Sequence, residues 1–561
     1  MRTLPAARRT GAPQHHIRWQ DCTVSSRFRR NETRRSSLVG SGGERMDTDV
    51  LVVGAGPVGL LLAAELRLAG ARVEVVERLA APTGERKARG IGSLATEALR
   101  RRGFGSLLAE YHEQGTADFR AAHGSDKGHF AWIHKIDLVS ADEPDRGYTF
   151  IWQPDLERVL GARVAELGVP VHRAHELTAL AQDPDSITAT LRTPAGERQV
   201  TASYLVGCDG GRSSVRKLTG FDFPGTAPYM VMRAGRVELA DPSVLPPPGR
   251  RDTGQLMHGG DMLGTAEFGA FPEERDAPLT AEELTNSIRR VAGVDVTITA
   301  LREPRRVVDH ARQTATYRIG RVLLAGDAAH VHSPNGGQGL NLGLMDATNL
   351  GWKLAAAARG TDPKGELLDS YTAERHPVAA AVLHNTRAQS ALLAPGPHHD
   401  ALRDIIADLM DLPEVNRFFA ELMNGVHTRY DLPYRTGAEP ELVGRHSPEL
   451  AVDDTSLYRL ATAGRPVLIT KTAEAAEAAA PWADRVEVVT ATGLGRPDLS
   501  GLLLRPDGAV AWACAPGQPA DLAQLRTALA TWFGEPGGDQ SRLRPTRELT
   551  KPARSPGAWP A

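Results

Sequence analysis

Apolar positions along this chain gather into short continuous runs closed by glycine turns, each followed by a helix-forming stretch. Asp49–Val53 is continuous and β-branched, the pattern of a strand buried on both faces of a parallel sheet. Gly54, Gly56 and Gly59 follow at once, and Leu60–Ala69 predicts the helix behind them. Arg72–Val76 reads as the next strand and ends at Glu77. The same order recurs twice. Tyr204–Arg212 runs a strand into a glycine turn before a helix opened by Ser213, Ser214 and Arg216. Arg321–Asp327 is a buried strand ending on an acid, with a helix starting at Leu340 and Asn341 and continuing through Ala347–Ala355. Such repetition predicts an α/β class with a Rossmann-like domain. Val231–Leu239 and Gln255–Phe271 instead alternate and turn, which predicts a separate β-sheet. Helices are expected from Ser370 to about Met423, broken at Ala394–Pro397. Beyond them come strands at Arg465–Thr470 and Arg485–Thr490, a hairpin over Leu502–Trp512 turned at Asp507-Gly508, and a helix over Asp521–Trp532.

Composition narrows the function class. At 561 residues the chain exceeds one domain of ~100–200 residues. A net charge of −2 and 5% aromatics argue against a nucleic-acid binder. Apolar runs such as Val50–Val53 and Leu60–Ala64 fall short of the ~20 residues that cross a bilayer, so no membrane partner is expected. The three cysteines, Cys22, Cys208 and Cys514, form no CxxC pair, which suits reduced thiols in the cytoplasm and no metal site. Residues 1–45 stand apart, with ten arginines against Asp21, Glu32 and Glu44 and no periodicity. They are expected to be a disordered or mis-assigned extension, with translation starting at Met46.

The glycine turns carry the chemistry. In Gly54-Ala-Gly-Pro57-Val-Gly59, Gly54 permits a tight turn, Gly56 lets backbone approach a pyrophosphate and Gly59 lets the helix sit close on the strand. Helix N-terminal N–H groups then hold the phosphates, and Glu77, about 20 residues on, accepts from a ribose. This motif alone does not separate FAD from NAD(P). In the second, Cys208-Asp209-Gly-Gly-Arg212, Asp209 either hydrogen-bonds near the pyrophosphate or caps its own helix. In the third, Gly326-Asp327 suits a ribityl chain with free hydroxyls, Pro334 fixes the backbone, and Gly336, Gly337 and Gly339 clear space for a flat tricyclic ring. The helix at Leu340 and Asn341 would face the flavin pyrimidine and stabilise its negative charge. His330 and His332 are read as shaping the loop. The three motifs in this order point to FAD and oxygen chemistry.

With these residues the chain resembles the class A flavoprotein aromatic hydroxylases, the family of para-hydroxybenzoate hydroxylase and pentachlorophenol monooxygenase. It is most similar to bacterial polyketide-tailoring hydroxylases, over roughly Met46 to Phe533. Lys87-Ala-Arg89-Gly-Ile91 matches the family segment after the second strand, with Lys87 in place of the usual arginine near the pyrophosphate. Gln153 matches the glutamine that approaches the cofactor, and Arg78 and Arg89 join the cofactor-binding set. Ser93-Leu94-Ala95 departs from the Pro-Arg-Thr of many relatives, so no role of that arginine carries over.

The resemblance implies a layout. An FAD-binding domain spans 46–120, 149–220 and 313–395, interleaved with a substrate domain at 121–148 and 221–312. A helical linker at 396–433, a thioredoxin-like domain at 434–535 and a disordered tail at 536–561 follow. Tyr229, Met232, Met257, Met262, Phe268 and Phe271 are candidates for an apolar substrate pocket, more than half of them as ordinary core. The implied reaction is NAD(P)H-dependent: NADPH or NADH binds transiently and reduces FAD, dioxygen forms a flavin C4a-hydroperoxide, and its terminal oxygen goes to an electron-rich, polycyclic aromatic polyketide. A single GxGxxG agrees with transient NAD(P)H. Baeyer–Villiger oxygenation and antibiotic inactivation remain open on the same motifs, as does a non-catalytic flavin-binding role. No WxWxIP segment marks a halogenase. No catalytic base is assigned, and the enzyme is expected as a monomer or homodimer. Without CxxC, redox activity of the C-terminal domain is not expected.

Overall fold

The computed structural model describes residues 46–123, 127–137, 146–269, 278–362, 365–437, 439–517, 520–536 and 547–548. The arginine-rich extension, Phe271 and most of the tail lie outside them. The core sheet is built on Thr48–Val53, which pairs in parallel with Val73–Glu77 on one side and Gly196–Gly207 on the other. Val322–Leu324 and Val171–Arg173 continue it outward, also in parallel. Val50, Leu51 and Val52 are fully buried, as a strand covered on both faces must be. Pro57 opens the first helix, Pro57–Leu68, at a position where a missing N–H costs nothing. That helix packs between the sheet and the long helix Gln338–Ala358.

Two differences from the sequence reading concern this sheet. The strand expected near Tyr204 starts at Gly196, and its first half pairs antiparallel with Ile187–Thr193, which pairs in turn with Glu176–Gln182. Helices Ser93–Arg100 and Gln153–Glu166 were not read at all.

The second sheet is antiparallel, in the order 249–251, 254–259, 262–268, 230–239, 298–308. Within the run Gln255–Phe271, read as strands with turns, the structure forms Gly254–Gly259 and Met262–Phe268 around Gly260-Asp261. Its faces separate by the two-residue period. One face packs Leu256 and Leu263 against Leu284, Ile288 and Val291 of the helix Ala281–Ala292. On that side Glu267 takes Arg233, Arg290 and Ser287, and Glu283 takes Arg233 and Arg306. The other face presents Met230, Met232, Ala266 and Phe268 to the hairpin 128–136 and to the helices Glu366–Leu393, Pro397–Leu409 and Pro413–Asn424.

In the C-terminal region Val467–Thr470 pairs in parallel with Glu487–Thr490 and antiparallel with Gly501–Leu504, which turns back into Val510–Cys514. Helices Ala473–Ala479 and Leu522–Phe533 pack on this thioredoxin-like sheet. The second hairpin strand runs on past the expected end at Trp512 to include Cys514. Arg547–Glu548, in the tail, add a short parallel edge to Val489-Thr490.

A buried ionic joint ties this region to the core. Arg505 donates to Glu374 Oε1 at 2.6 Å and Oε2 at 2.7 Å, and also pairs with Asp507. Lys353 Nζ donates to Glu374 Oε2 at 2.7 Å, and Asn349 Nδ2 reaches both Glu374 and Asp507. Burial favours a neutral Glu374, but Arg505 and Lys353 outweigh it and hold its pKa down to about 2. Asp507, expected only to turn a hairpin, is thus a buried acid of this joint. Among the described residues, no helix is long and apolar enough to cross a membrane.

Candidate functional site

The first glycine turn divides its labour between fold and ligand. Gly54 has φ +109, and a Cβ there would sit 2.4 Å from the Cys208 carbonyl oxygen. A Cβ on Gly59 would meet the Gly54 oxygen at 2.0 Å. Both are glycine because the chain itself demands it. Gly56 is different: its φ is −77° and a Cβ would meet nothing within 4 Å. The space beside it is a cavity of about 610 Å³. No side chain caps the helix that Gly56 opens, so its first N–H groups are left for an anion.

Glu77 ends the second strand at the cavity wall. Its Oε2 accepts from Ala55 N at 2.9 Å and its Oε1 from Leu79 N at 2.9 Å, fixing the turn it faces. Asp209 takes the capping role: Oδ2 accepts from Ser214 N and Val215 N, and Oδ1 from Ser213 Oγ.

The third motif is held from behind. Asp346 is fully buried and accepts from Gly326 N at 3.1 Å, His330 Nε2 at 2.7 Å and Arg375 Nε at 2.7 Å. His330 is therefore a brace for the turn, as the loop-shaping reading expects. Asp327 projects from that turn into the cavity; burial raises its pKa, with His330 and Lys87 opposing. The His332 ring, at the cavity wall, donates from Nδ1 to the Ser333 carbonyl at 2.7 Å and leaves Nε2 without a partner. Burial lowers its pKa to about 4, so it is neutral and Nε2 is an acceptor. Gly337, at φ +64, is open to the cavity. Gly336 is not: a Cβ there would lie 2.2 Å from the Met423 methyl and 3.0 Å from Gln389 Nε2. Its missing side chain clears room for Met423, contrary to the expectation that a ring takes that space. The helix Gln338–Ala358 starts without a side-chain cap.

The structure brings Gly54, Gly56, Pro57, Glu77, Arg78, Lys87, Arg89, Gln153, Asp209, Asp327, Pro334, Gly337, Gly339 and Leu340 to one cavity. Gly59, Gly326 and Asn341 lie outside its lining. Asn341 Oδ1 accepts from Gly92 N at 2.7 Å and its Nδ2 donates to the Gly337 oxygen, so it ties two loops together. Sequence reasoning missed Tyr148, Arg173 and His175 in the wall. Burial pushes the Tyr148 hydroxyl up to about 12, leaving a phenol donor there. Ala174, at φ +57, marks the bend between Arg173 and His175, a signal no local pattern carries. Two uncapped helix ends, three glycines (56, 210 and 337) with no protein beside them, and an orphaned acceptor at His332 fit a long dinucleotide with an anionic centre and hydroxyl groups.

Comparison with known proteins accords with this geometry. The family described as "FAD binding domain" matches residues 47–386, and that described as "Aromatic-ring hydroxylase, C-terminal" matches residues 440–536. The chain is 42% identical over 524 residues to a 12-dehydrotetracycline 5-monooxygenase/anhydrotetracycline 6-monooxygenase of Streptomyces rimosus, covering 88% of this chain and 100% of that one. It is 39% identical over 503 residues to a rifampicin monooxygenase of Streptomyces venezuelae, covering 87% and 98%. The solved structure of OxyS anhydrotetracycline hydroxylase from Streptomyces rimosus superposes with a TM-score of 0.77 at 40% identity, over 87% of this chain and all of that one.

Proposed function

The chain belongs to the FAD-dependent aromatic-ring hydroxylases, and from that membership we propose that it hydroxylates a polycyclic aromatic polyketide with NAD(P)H and dioxygen. The observation that carries the reading is one cavity with uncapped helix ends and open glycines, in a chain whose second sheet offers a methionine- and phenylalanine-bearing face. The N–H groups of the helix Pro57–Leu68 take the pyrophosphate, with Arg78, Lys87 and Arg89 adding positive charge. Glu77 accepts from the ribose and Asp327 from ribityl hydroxyls. Gln153, Pro334, Gly337, Gly339 and Leu340 shape the rest of the wall, while Gly59, Gly326, Asp209 and Asn341 hold its loops. The uncapped start of the helix Gln338–Ala358 favours negative charge at the adjoining ring. Bound FAD supplies the activation of dioxygen and the transfer of one oxygen atom. The protein holds the ring still and keeps water away from the transfer. The enzyme works in the cytoplasm, as a monomer or homodimer, without nucleic acid or membrane.

The test is NADPH consumption with and without anhydrotetracycline, rifampicin and a panel of polycyclic phenols and quinones, with H₂O₂ and product mass read in parallel. Stimulated consumption with a gain of one oxygen is expected; no stimulation by any of them would remove the substrate class. A second reading, supported by the likeness to rifampicin monooxygenase, is oxygenation of a finished antibiotic. Product analysis separates a new phenol from oxygen inserted into a ring.

A further inference from the structure

Gly128–Phe130 and Ile133–Ile136 form a hairpin joined by only two residues, Ala131 and Trp132, with Phe130 paired to Ile133. Both loop residues have positive φ, +47° and +62°. A two-residue loop of this kind favours Asn-Gly, because most side chains resist that backbone. Alanine and tryptophan are therefore strained there. Other groups hold the turn in place. Ala131 N donates to the fully buried Gln389 Oε1 at 3.1 Å, and Arg403 Nη1 donates to the Ala131 oxygen at 2.6 Å.

The location of the strain gives it meaning. Gln389 touches Ala131 with its oxygen, and its Nε2 lies 3.0 Å from where a Cβ of Gly336 would be. One side chain thus separates the strained turn from the loop that ends at the cofactor cavity. Trp132 is half-buried and packs in the cluster of Met230, Met232, Ala266 and Phe268, the face of the second sheet turned away from the helix Ala281–Ala292. The same cluster contains Met423, whose methyl covers Gly336.

We infer that Trp132 is a specificity-determining residue, held by the strained turn so that its indole stacks on the flat ring system of the substrate. This rests on the aromatic-substrate reading above. A ring recruited only to fill the core could be carried by an unstrained strand position, whereas this indole sits, half-buried, on a strained turn that Gln389 and Arg403 hold in place. Gln389 and Arg403 act through the turn and are positioning residues.

Binding of anhydrotetracycline and of rifampicin to the FAD-loaded enzyme, followed by the perturbation of flavin absorbance, tests this together with the melting temperature. Trp132→Gly places the residue the turn prefers. It is expected to weaken binding about tenfold while leaving the melting temperature unchanged or higher. Trp132→Phe keeps a stacking face and is expected to bind within about threefold of wild type. Wild-type affinity in Trp132→Gly, with a lowered melting temperature, would overturn the inference and leave a packing role. Failure of the wild-type enzyme to bind either probe would strike the substrate reading first and the inference with it.

Discussion

The helix Gln338–Ala358 ends in two opposite chemical states. At its start, Gly337 provides no side-chain cap, and His332 beside it keeps an unpartnered acceptor. Farther along, Asn349 and Lys353 are saturated by Glu374 and Asp507, all fully or almost fully buried. Both regions put polar groups inside protein. The first leaves them open, at a cost that a ligand recovers on binding; in the second the carboxylates of Glu374 and Asp507 are each met by buried cations and an amide. Unsatisfied polarity marks the site, and satisfied polarity marks the joint.

Substitutions on the two sides should therefore separate stability from binding. Arg505→Met leaves Glu374 and Asp507 buried without their main counter-charge, and a loss of about 3–5 kcal/mol is expected in denaturant unfolding. Its FAD content, measured on the surviving folded fraction, should stay near wild type. Gly56→Val is the converse. The fold has room for the side chain, so the apoprotein should unfold within about 0.5 kcal/mol of wild type. Purified protein should nevertheless be colourless, and a yellow Gly56→Val preparation would refute the assignment of that space to the cofactor.

A subtler separation uses pH. His446 lies beside the joint, its ring 5.4 Å from that of Tyr430 and both ring nitrogens unpartnered. Burial lowers its pKa to about 3, although Asp507 pulls the other way. The unfolded chain takes up a proton near pH 6.5 and the folded chain does not, so stability is complete above pH 6.5 and falls as pH drops towards 3. At pH 4 that amounts to roughly 3 kcal/mol. His446→Phe should flatten the fall in melting temperature between pH 7 and 4; an unchanged slope would assign it to other groups. The smallest effect is expected at Cys514, whose thiol is raised by burial and lies 3.1 Å from Ser500 Oγ. Cys514→Ser should leave NADPH turnover unchanged, and a large loss would reopen redox chemistry in the C-terminal region.

The site was more legible than the joint for a physical reason. A glycine turn between a strand and a helix is a local pattern, and such patterns led to Gly54, Gly56, Glu77, Asp327 and Gly337 in the cavity wall, while Lys87 and Gln153 came from the family resemblance. Even there, contacts from distant segments changed the meaning of single residues. Asn341 serves Gly92, and Gly336 serves Met423. The Glu374–Arg505 pair joins positions 131 apart in sequence, and neither residue stands in a pattern that announces the other. Asp507-Gly508 was legible as a turn because turns are local; the burial of its carboxylate was not. The helix Ala281–Ala292 carries a Thr280 cap and an apolar stripe that a search at helical period would have found.

The joint also bears on engineering. Glu374, Asn349 and Lys353 belong to the segment that carries the third motif, and Arg505 and Asp507 to the C-terminal hairpin; each half holds one ion pair of its own, and Arg505–Glu374 and Asn349–Asp507 join the two. A chimera exchanging the C-terminal region with that of a relative would break the buried contacts across the seam unless these five residues travelled as a set. Cutting the chain at that seam would expose the same ions to water on both pieces, and co-expressed halves would have in those ions a ready means of finding each other.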